Sequence, residues 1–238
     1  LAVEQRPFGE APVRRRLLRS EGGHTGAALS RGKDAVLSGP AGGVVGAVAV
    51  SRRAGFDKVV AFDIGGTSTD VSHCAGELER SYESVIGGVR LRAPMLRVHT
   101  VAAGGGSICS FEDGRYRVGP RSAGADPGPA CYGRGGPLTV TDCNLVSGKL
   151  RPALFPRVFG PGGDAALDER AARAALEHVA AGMRAAGVEP PSPEQLADDF
   201  LHVACETMAR AIKRISTQRG HDVTDHVLCC FGDQAGVL

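Results

Sequence analysis

The stretch KVVAFDIGGTSTDVSHCAG, residues 58 to 76, constrains the fold more than any other part of the chain. Lys58 to Phe62 is a strand-forming run of β-branched and aromatic residues. It ends in Asp63, turns through Gly65 and Gly66, and passes Thr67, Ser68 and Thr69. Beyond Asp70 the sequence returns with the alternating pattern of a second strand rather than the 3.6-residue pattern of a helix. Phosphate loops of the Walker and dinucleotide types feed a helix, and their GKS/T and GxGxxG signatures are absent here. The pattern therefore predicts a hairpin with a glycine tip, which needs a sheet to sit in.

The flanking sequence supplies helices as well as strands. AVLSGP at 35–40 predicts a short strand, and AGGVVGAVAVSRRAG predicts a helix closed by Gly55. Gly42, Gly43 and Gly46 each weaken that helix by roughly 1 kcal/mol relative to Ala, so a backbone or a ligand is expected to approach closely there. Several short strand-like pieces follow from 81 to 118, broken by glycines at 87 and at AAGGGS, 102–107. The Gly/Pro-punctuated stretch GPRSAGADPGPACYGRGGPLTVTDCN is too interrupted for a helix. Asp168 opens an Ala-rich helix running to about Gly187. Ser192, Pro193 and Gln195 then give an N-cap, a first-turn proline and a capping-box partner. The next helix places Leu196, Phe200, Val203, Ala204, Ala211, Ile212 and Ile215 on one face and stops at Gly220. HVLCCFG, 226–232, predicts a buried strand ending on a glycine, and the whole reads as α/β.

Composition narrows the function. Lys and Arg (28) nearly balance Asp and Glu (26), a net charge of +2, which is no field for nucleic acid or an anionic membrane. The absence of tryptophan and the three tyrosines leave few stacking platforms for single strands. The apolar run VVGAVAV, 44–50, is short for a bilayer span, so no membrane partner is expected. Seven cysteines without CxxC or Cys/His zinc spacing fit a reducing, cytoplasmic setting.

Two readings of the hairpin tip are open. In one, consecutive glycines let backbone N–H groups converge on phosphate, Thr67, Ser68 and Thr69 add hydroxyls, and Asp63 holds Mg²⁺ through water. In the other, Asp63 and Asp70 only satisfy turn amides. HTVAAGGGS, 99–107, is a second Gly-rich turn in which Gly104, Gly105 and Gly106 could form another anion nest or admit a flat ligand. His99 beside it is either a base or ligand, or a structurally satisfied histidine. Asp126, in a proline-stiffened loop, either faces a substrate or caps a turn. The arginines at 14–16 and His178 read as solvated surface.

The strings VLSGPAGGVVGA, FDIGGTSTDVS, HTVAAGGGSI, VGPRSAGADPGPACYGRGGPLTVTD, FPRVFGP and ISTQRGHDV resemble, in order, the ATP-dependent hydantoinase/oxoprolinase family, closest to its 5-oxoprolinase branch, over residues 35 to 231. The resemblance implies an actin/hexokinase-type (ribonuclease H-like) ATPase fold whose second half carries DIGGTSTD as a hairpin phosphate loop, with Mg²⁺ and ATP as cofactors. It implies that residues 1–34 continue from an upstream half bearing a first phosphate loop, and that 35–238 is the ATPase domain, truncated. A small cyclic amide would be the substrate, with 5-oxo-L-proline opened to L-glutamate after phosphorylation of its carbonyl oxygen. Hydantoinase or ATP-dependent carboxylase subunits share this chemistry. Partners would be the upstream half and a second family module or subunit, in a homo- or hetero-oligomer. Where the family continues a Phe-Gly-Gly-Ala-Gly turn resembling an adenosine-binding loop, this chain has FGDQAGVL, so Asp233 and Gln234 alter that contact. A non-catalytic, partner-binding chain is the alternative of another class.

Overall fold

A computed structural model describes residues 16–86 and 88–233; Arg14, Arg15, Gly87 and Gln234 lie outside the described residues. A small hairpin, β1 (Arg16–Leu18) and β2 (His24–Gly26), precedes helix α1 (Ser38–Arg53). Strands β3 (Lys58–Ile64), β4 (Thr69–Ala75), β5 (Arg80–Ile86), β6 (Val89–Leu96), β7 (His99–Val101), β8 (Ser107–Glu112) and β9 (Arg115–Ser122) follow. Helices α2 (Val140–Val146), α3 (Glu169–Ala185) and α4 (Pro193–Ile215) lead to the last strand, β10 (Val227–Phe231).

The site sits on a four-stranded sheet of order β10-β3-β4-β7, in which β10 runs parallel to β3 and the other pairs are antiparallel. Alternation along β3 divides its side chains between two layers. Val60, Phe62 and Ile64 pack with Val71 against Met208, Ala211 and Ile215 of α4. Val59 and Cys74 face Val48 of α1 on the other side. Because Asp63 shares the odd-numbered face with Val59, its carboxylate points into the α1 layer. The glycines of α1 permit that approach: a Cβ on Gly42 would stand 2.6 Å from Leu18, and one on Gly43 2.7 Å from Phe231 and 3.3 Å from Asp63 Oδ2. Gly46 has open space around it, so only two of the three glycines are explained by close contact.

Two expectations are corrected. Residues 35–40 are not a strand; α1 begins at Ser38, and Pro40 falls in its first turn, where a missing N–H costs no helical bond. Strand β10 is the sheet's edge and only half buried, with Leu228 51% exposed. Ser20 is fully buried and bonds Asp34 and Leu96 through its backbone, which ties the N-terminal hairpin to β6. One run, Gly32–Arg53, reaches the length and mean hydropathy (1.3) of a bilayer span. Its α-helix is only 16 residues long, and Ala41, Val44, Ala47 and Val48 are buried against the sheet and β6.

Helix α4, about 34 Å long at 1.5 Å per residue for its 23 residues, joins two cores. Its C-terminal half lies under the sheet, and its N-terminal half puts Leu196, Phe200 and Ala204 among α2, α3 and the β8–β9 hairpin. His178 is on the solvent side of α3. The long Gly/Pro loop is drawn into this second core by one buried carboxylate. Asp142 accepts from the Ala130, Cys131 and Thr139 amides at 3.1, 2.7 and 2.8 Å and from the Thr139 hydroxyl at 2.8 Å. Asp142→Ala should cost at least about 3 kcal/mol in urea unfolding, because several buried donors lose their acceptor at once. A loss below about 1 kcal/mol would show that the loop does not depend on this carboxylate.

Candidate phosphate-binding hairpin

The tip between β3 and β4 is braced from beneath by the second Gly-rich turn. Gly105 N donates to Gly65 O at 3.2 Å and Gly106 N to Gly66 O at 2.6 Å. Gly104 N donates to Ser107 Oγ at 2.9 Å. The contact is so close that a Cβ on Gly104 would lie 2.4 Å from Gly65 O, and one on Gly106 2.8 Å from Gly66 O. The brace is itself anchored, since the Thr141 amide and hydroxyl both donate to Gly105 O, at 2.8 and 2.9 Å, and Ala123 N donates to Gly106 O at 2.9 Å. Gly104, Gly105 and Gly106 therefore do not form a second anion nest, because every one of their amides is already bonded within the protein.

The upper side of the tip is different. Gly65 N closes the turn on Ser68 O at 3.0 Å, while the amides of Gly66, Thr67 and Ser68 have no acceptor among the described residues. Thr67 is exposed, and its hydroxyl has only a 3.5 Å contact from Ser122 Oγ. Thr69 is corrected: it is fully buried and its hydroxyl donates to Ala103 O at 2.6 Å, so it fastens the hairpin to the brace. Consecutive unbonded amides at a glycine turn are the kind of concavity that holds a phosphate oxygen.

Carboxylates gather at the same end of the sheet. Asp63 pairs with Asp70 across β3 and β4 and with Phe231 of β10, which brings Asp233 near. Asp70 accepts from the Thr100 hydroxyl at 2.5 Å, whereas Asp63 makes no side-chain hydrogen bond among the described residues. Burial, then repulsion from Asp70 and Asp233, raises the Asp63 pKa. A Cβ at Gly232, where φ is +98°, would fall 2.5 Å from Asp63 Oδ1, so only glycine suits that position. A desolvated carboxylate with like-charged neighbours and no donor is suited to a divalent cation with oxygen ligands. The field of Asp233 also reaches Tyr132 in the long loop, whose pKa is raised first by burial.

The other sequence candidates do not join this group. Val71 pairs with His99 and Asp70 with Thr100, so His99 is on the α4 face, opposite Asp63. There it lines a cavity of about 290 Å³ with Arg97, Arg214 and Arg219, and burial, followed by Arg214, lowers its pKa. Asp126 is exposed and borders a concavity with Gly133, Arg134 and Pro161, none of them a residue of the hairpin. Sequence reasoning undervalued Asp70, Asp233 and Gly232 because their proximity to Asp63 comes from strand pairing, not from spacing.

The sequence profile described as Hydantoinase/oxoprolinase matches residues 4–238. The chain is 45% identical over 222 residues to 5-oxoprolinase 1 of Arabidopsis thaliana, covering 90% of this chain and 18% of that protein. The crystal structure of an ATP-dependent caprolactamase from Pseudomonas jessenii superposes with a TM-score of 0.77 at 35% identity, covering 93% of this chain and 31% of that one. A nucleotide-free acetone carboxylase shares the fold, with a TM-score of 0.74 at 24% identity over 90% of this chain and 29% of that one. The chain thus spans under a third of the length of these relatives.

Gly104→Ala should destabilise the chain by about 1–3 kcal/mol in denaturant unfolding, as overpacking does; wild-type stability would refute the brace. Asp63→Asn should separate charge from structure. The raised pKa means that Asp63 favours folding least when ionised, so that contribution is lost as pH rises from 3.8 through the folded value. The variant's melting temperature, equal to wild type at low pH, should move above it as pH rises to neutrality; the reverse trend would mean that the carboxylate is a structural acceptor.

Proposed function

Because this chain belongs to the hydantoinase/oxoprolinase family, we propose that its β3–β4 hairpin holds the phosphates of Mg-ATP in an enzyme that opens cyclic amides at the expense of ATP. The observation that carries this reading is the row of amides at Gly66, Thr67 and Ser68 with no acceptor among the described residues, beside the half-buried Asp63, which has no side-chain hydrogen bond there either. These residues fit the group: amides and the Thr67 and Ser68 hydroxyls for phosphate oxygens, Asp63 with Asp70 and Asp233 for a hydrated Mg²⁺. The finer fold assignment, the second half of an actin/hexokinase-type ATPase, is supported by a hairpin rather than a helix at the phosphate position.

When bound, ATP supplies the phosphoryl group that turns a poor amide electrophile into one with a good oxygen leaving group. The chain's own task is positioning and neutralisation, which dominate phosphoryl transfer. The brace of Gly104–Gly106 fixes the amides before any ligand arrives, so little reorganisation is needed when negative charge develops. Gly43 and Gly232 keep side chains away from Asp63, leaving its oxygens able to reach a hydrated cation. His99 has no role in this reading, and Asp126 is assigned none.

For the substrate we propose 5-oxo-L-proline. Identity of 42–45% to proteins named 5-oxoprolinase in Saccharomyces cerevisiae and Arabidopsis supports it over caprolactam, where the caprolactamase subunit alpha of Pseudomonas jessenii is 38% identical. The remaining catalytic groups are assigned to the upstream half and a second module or subunit of the assembled enzyme.

Calorimetric titration of the chain with Mg-ATP tests the reading. Saturable binding is expected, with Asp63→Asn at least about tenfold weaker, since losing one charge contact costs about 1.4 kcal/mol or more. A folded chain that binds no Mg-nucleotide, or binds it equally well without Asp63, would overturn the assignment of this hairpin.

A further inference from the structure

On the opposite face of the sheet, three segments bring histidines and a carboxylate together. His73 stands on β4, Glu79 follows the next turn, and His221 lies in the loop between α4 and β10. His73 Nδ1 is 2.8 Å from Glu79 Oε1, and His221 Nε2 is 3.6 Å from the same oxygen. One ligand atom from each residue lies within 4.8 Å of the others. The His73 side chain is 2% exposed, Glu79 22% and His221 37%, so the group is rooted in the interior at His73 and reaches solvent at His221.

We infer that His73, Glu79 and His221 form a binding site for a transition-metal dication of the Zn²⁺ class. Two imidazole nitrogens and a carboxylate oxygen suit Zn²⁺ or Co²⁺, and three protein ligands leave a fourth position for water. The site lies on the α4 face, so it is separate from the phosphate hairpin.

The groups behind the three ligands have the arrangement that fixes metal ligands. Arg219 donates to the other Glu79 oxygen at 2.6 Å, which turns Oε1 toward the histidines. His73 Nε2 faces His226 Nε2 at 2.9 Å, a contact that requires one nitrogen to carry a proton and the other a lone pair. With Nδ1 on a metal, His73 holds its proton on Nε2 and donates to His226. The far nitrogen of His226 stands 2.7 Å from Asp225 Oδ1, although its angle is not that of a hydrogen bond, and Lys58 pairs with Asp225. A ligand histidine whose second nitrogen is held by an outer partner is the usual build of a protein metal site. His221 stacks on His73 with centroids 4.2 Å apart, which holds the two imidazoles side by side next to Glu79. A bound ion would staple β4 to the segment that leads into β10.

The test uses the full untagged chain, stripped with chelator and titrated with Co²⁺ while its visible ligand-field absorption is followed. Saturable absorption displaced by Zn²⁺, and a higher melting temperature with Zn²⁺, are expected. His221→Gln, at a partly exposed position where the fold should survive, and His73→Gln should each weaken binding at least about tenfold. Absence of the absorption in the wild-type chain, or unchanged affinity in His221→Gln, would overturn the site. Loss of Co²⁺ in Asp63→Asn would place the ion at the hairpin instead and also overturn it.

Discussion

The β3–β4 hairpin tip depends on one backbone contact, the stacking of the Gly104–Gly106 turn beneath the Gly65–Gly66 turn. Two amide-to-carbonyl bonds, Gly105 to Gly65 and Gly106 to Gly66, leave no room for a Cβ at Gly104 or Gly106. They satisfy the Gly65 and Gly66 carbonyls, while the amides of Gly66, Thr67 and Ser68 have no acceptor among the described residues. An unbonded amide is costly when buried and useful when it faces a ligand. Thr69, bonding Ala103, and Thr141, bonding Gly105, extend the brace into both cores.

Charge placement follows from strand pairing in the same region. Antiparallel register sets Asp63 opposite Asp70, and the parallel return of β10 brings Asp233 to the same end. Repulsion within this group, added to burial, works against folding and in favour of cation binding. Like charges are tolerable there because the hairpin is held by its backbone and by two hydrophobic layers, not by its carboxylates. The His73 cluster has the opposite character, with every carboxylate oxygen of Glu79 facing a basic group.

Local pattern made much of the fold legible. The change from strand period to glycine turn to strand period predicts the β3–β4 hairpin, and the Ser192 cap with Pro193 predicts the start of α4. What it missed is non-local. AVLSGP has strand-like residues, but Pro40 fits a helix's first turn and tertiary packing places it there. HVLCCFG looks buried by composition, yet its position at a sheet edge leaves Leu228 in solvent. In the candidate site, the place of Asp63 at the end of β3 and the Gly65–Ser68 turn after it are local features that sequence pattern carries. The inward turn of Thr69, the use of Gly104–Gly106 as a brace and the placement of His99 on the far face all require strand register, which sequence spacing does not supply. His73, Glu79 and His221 carry no local signature because three separate segments contribute them.

Amide NMR of the labelled chain tests the central claim most directly. Added Mg-nucleotide should shift the Gly66, Thr67 and Ser68 amides most, while Gly105 and Gly106 remain protected from hydrogen exchange with or without ligand. Shifts centred elsewhere, or fast exchange at Gly105 and Gly106 in the free chain, would contradict a pre-braced phosphate hairpin.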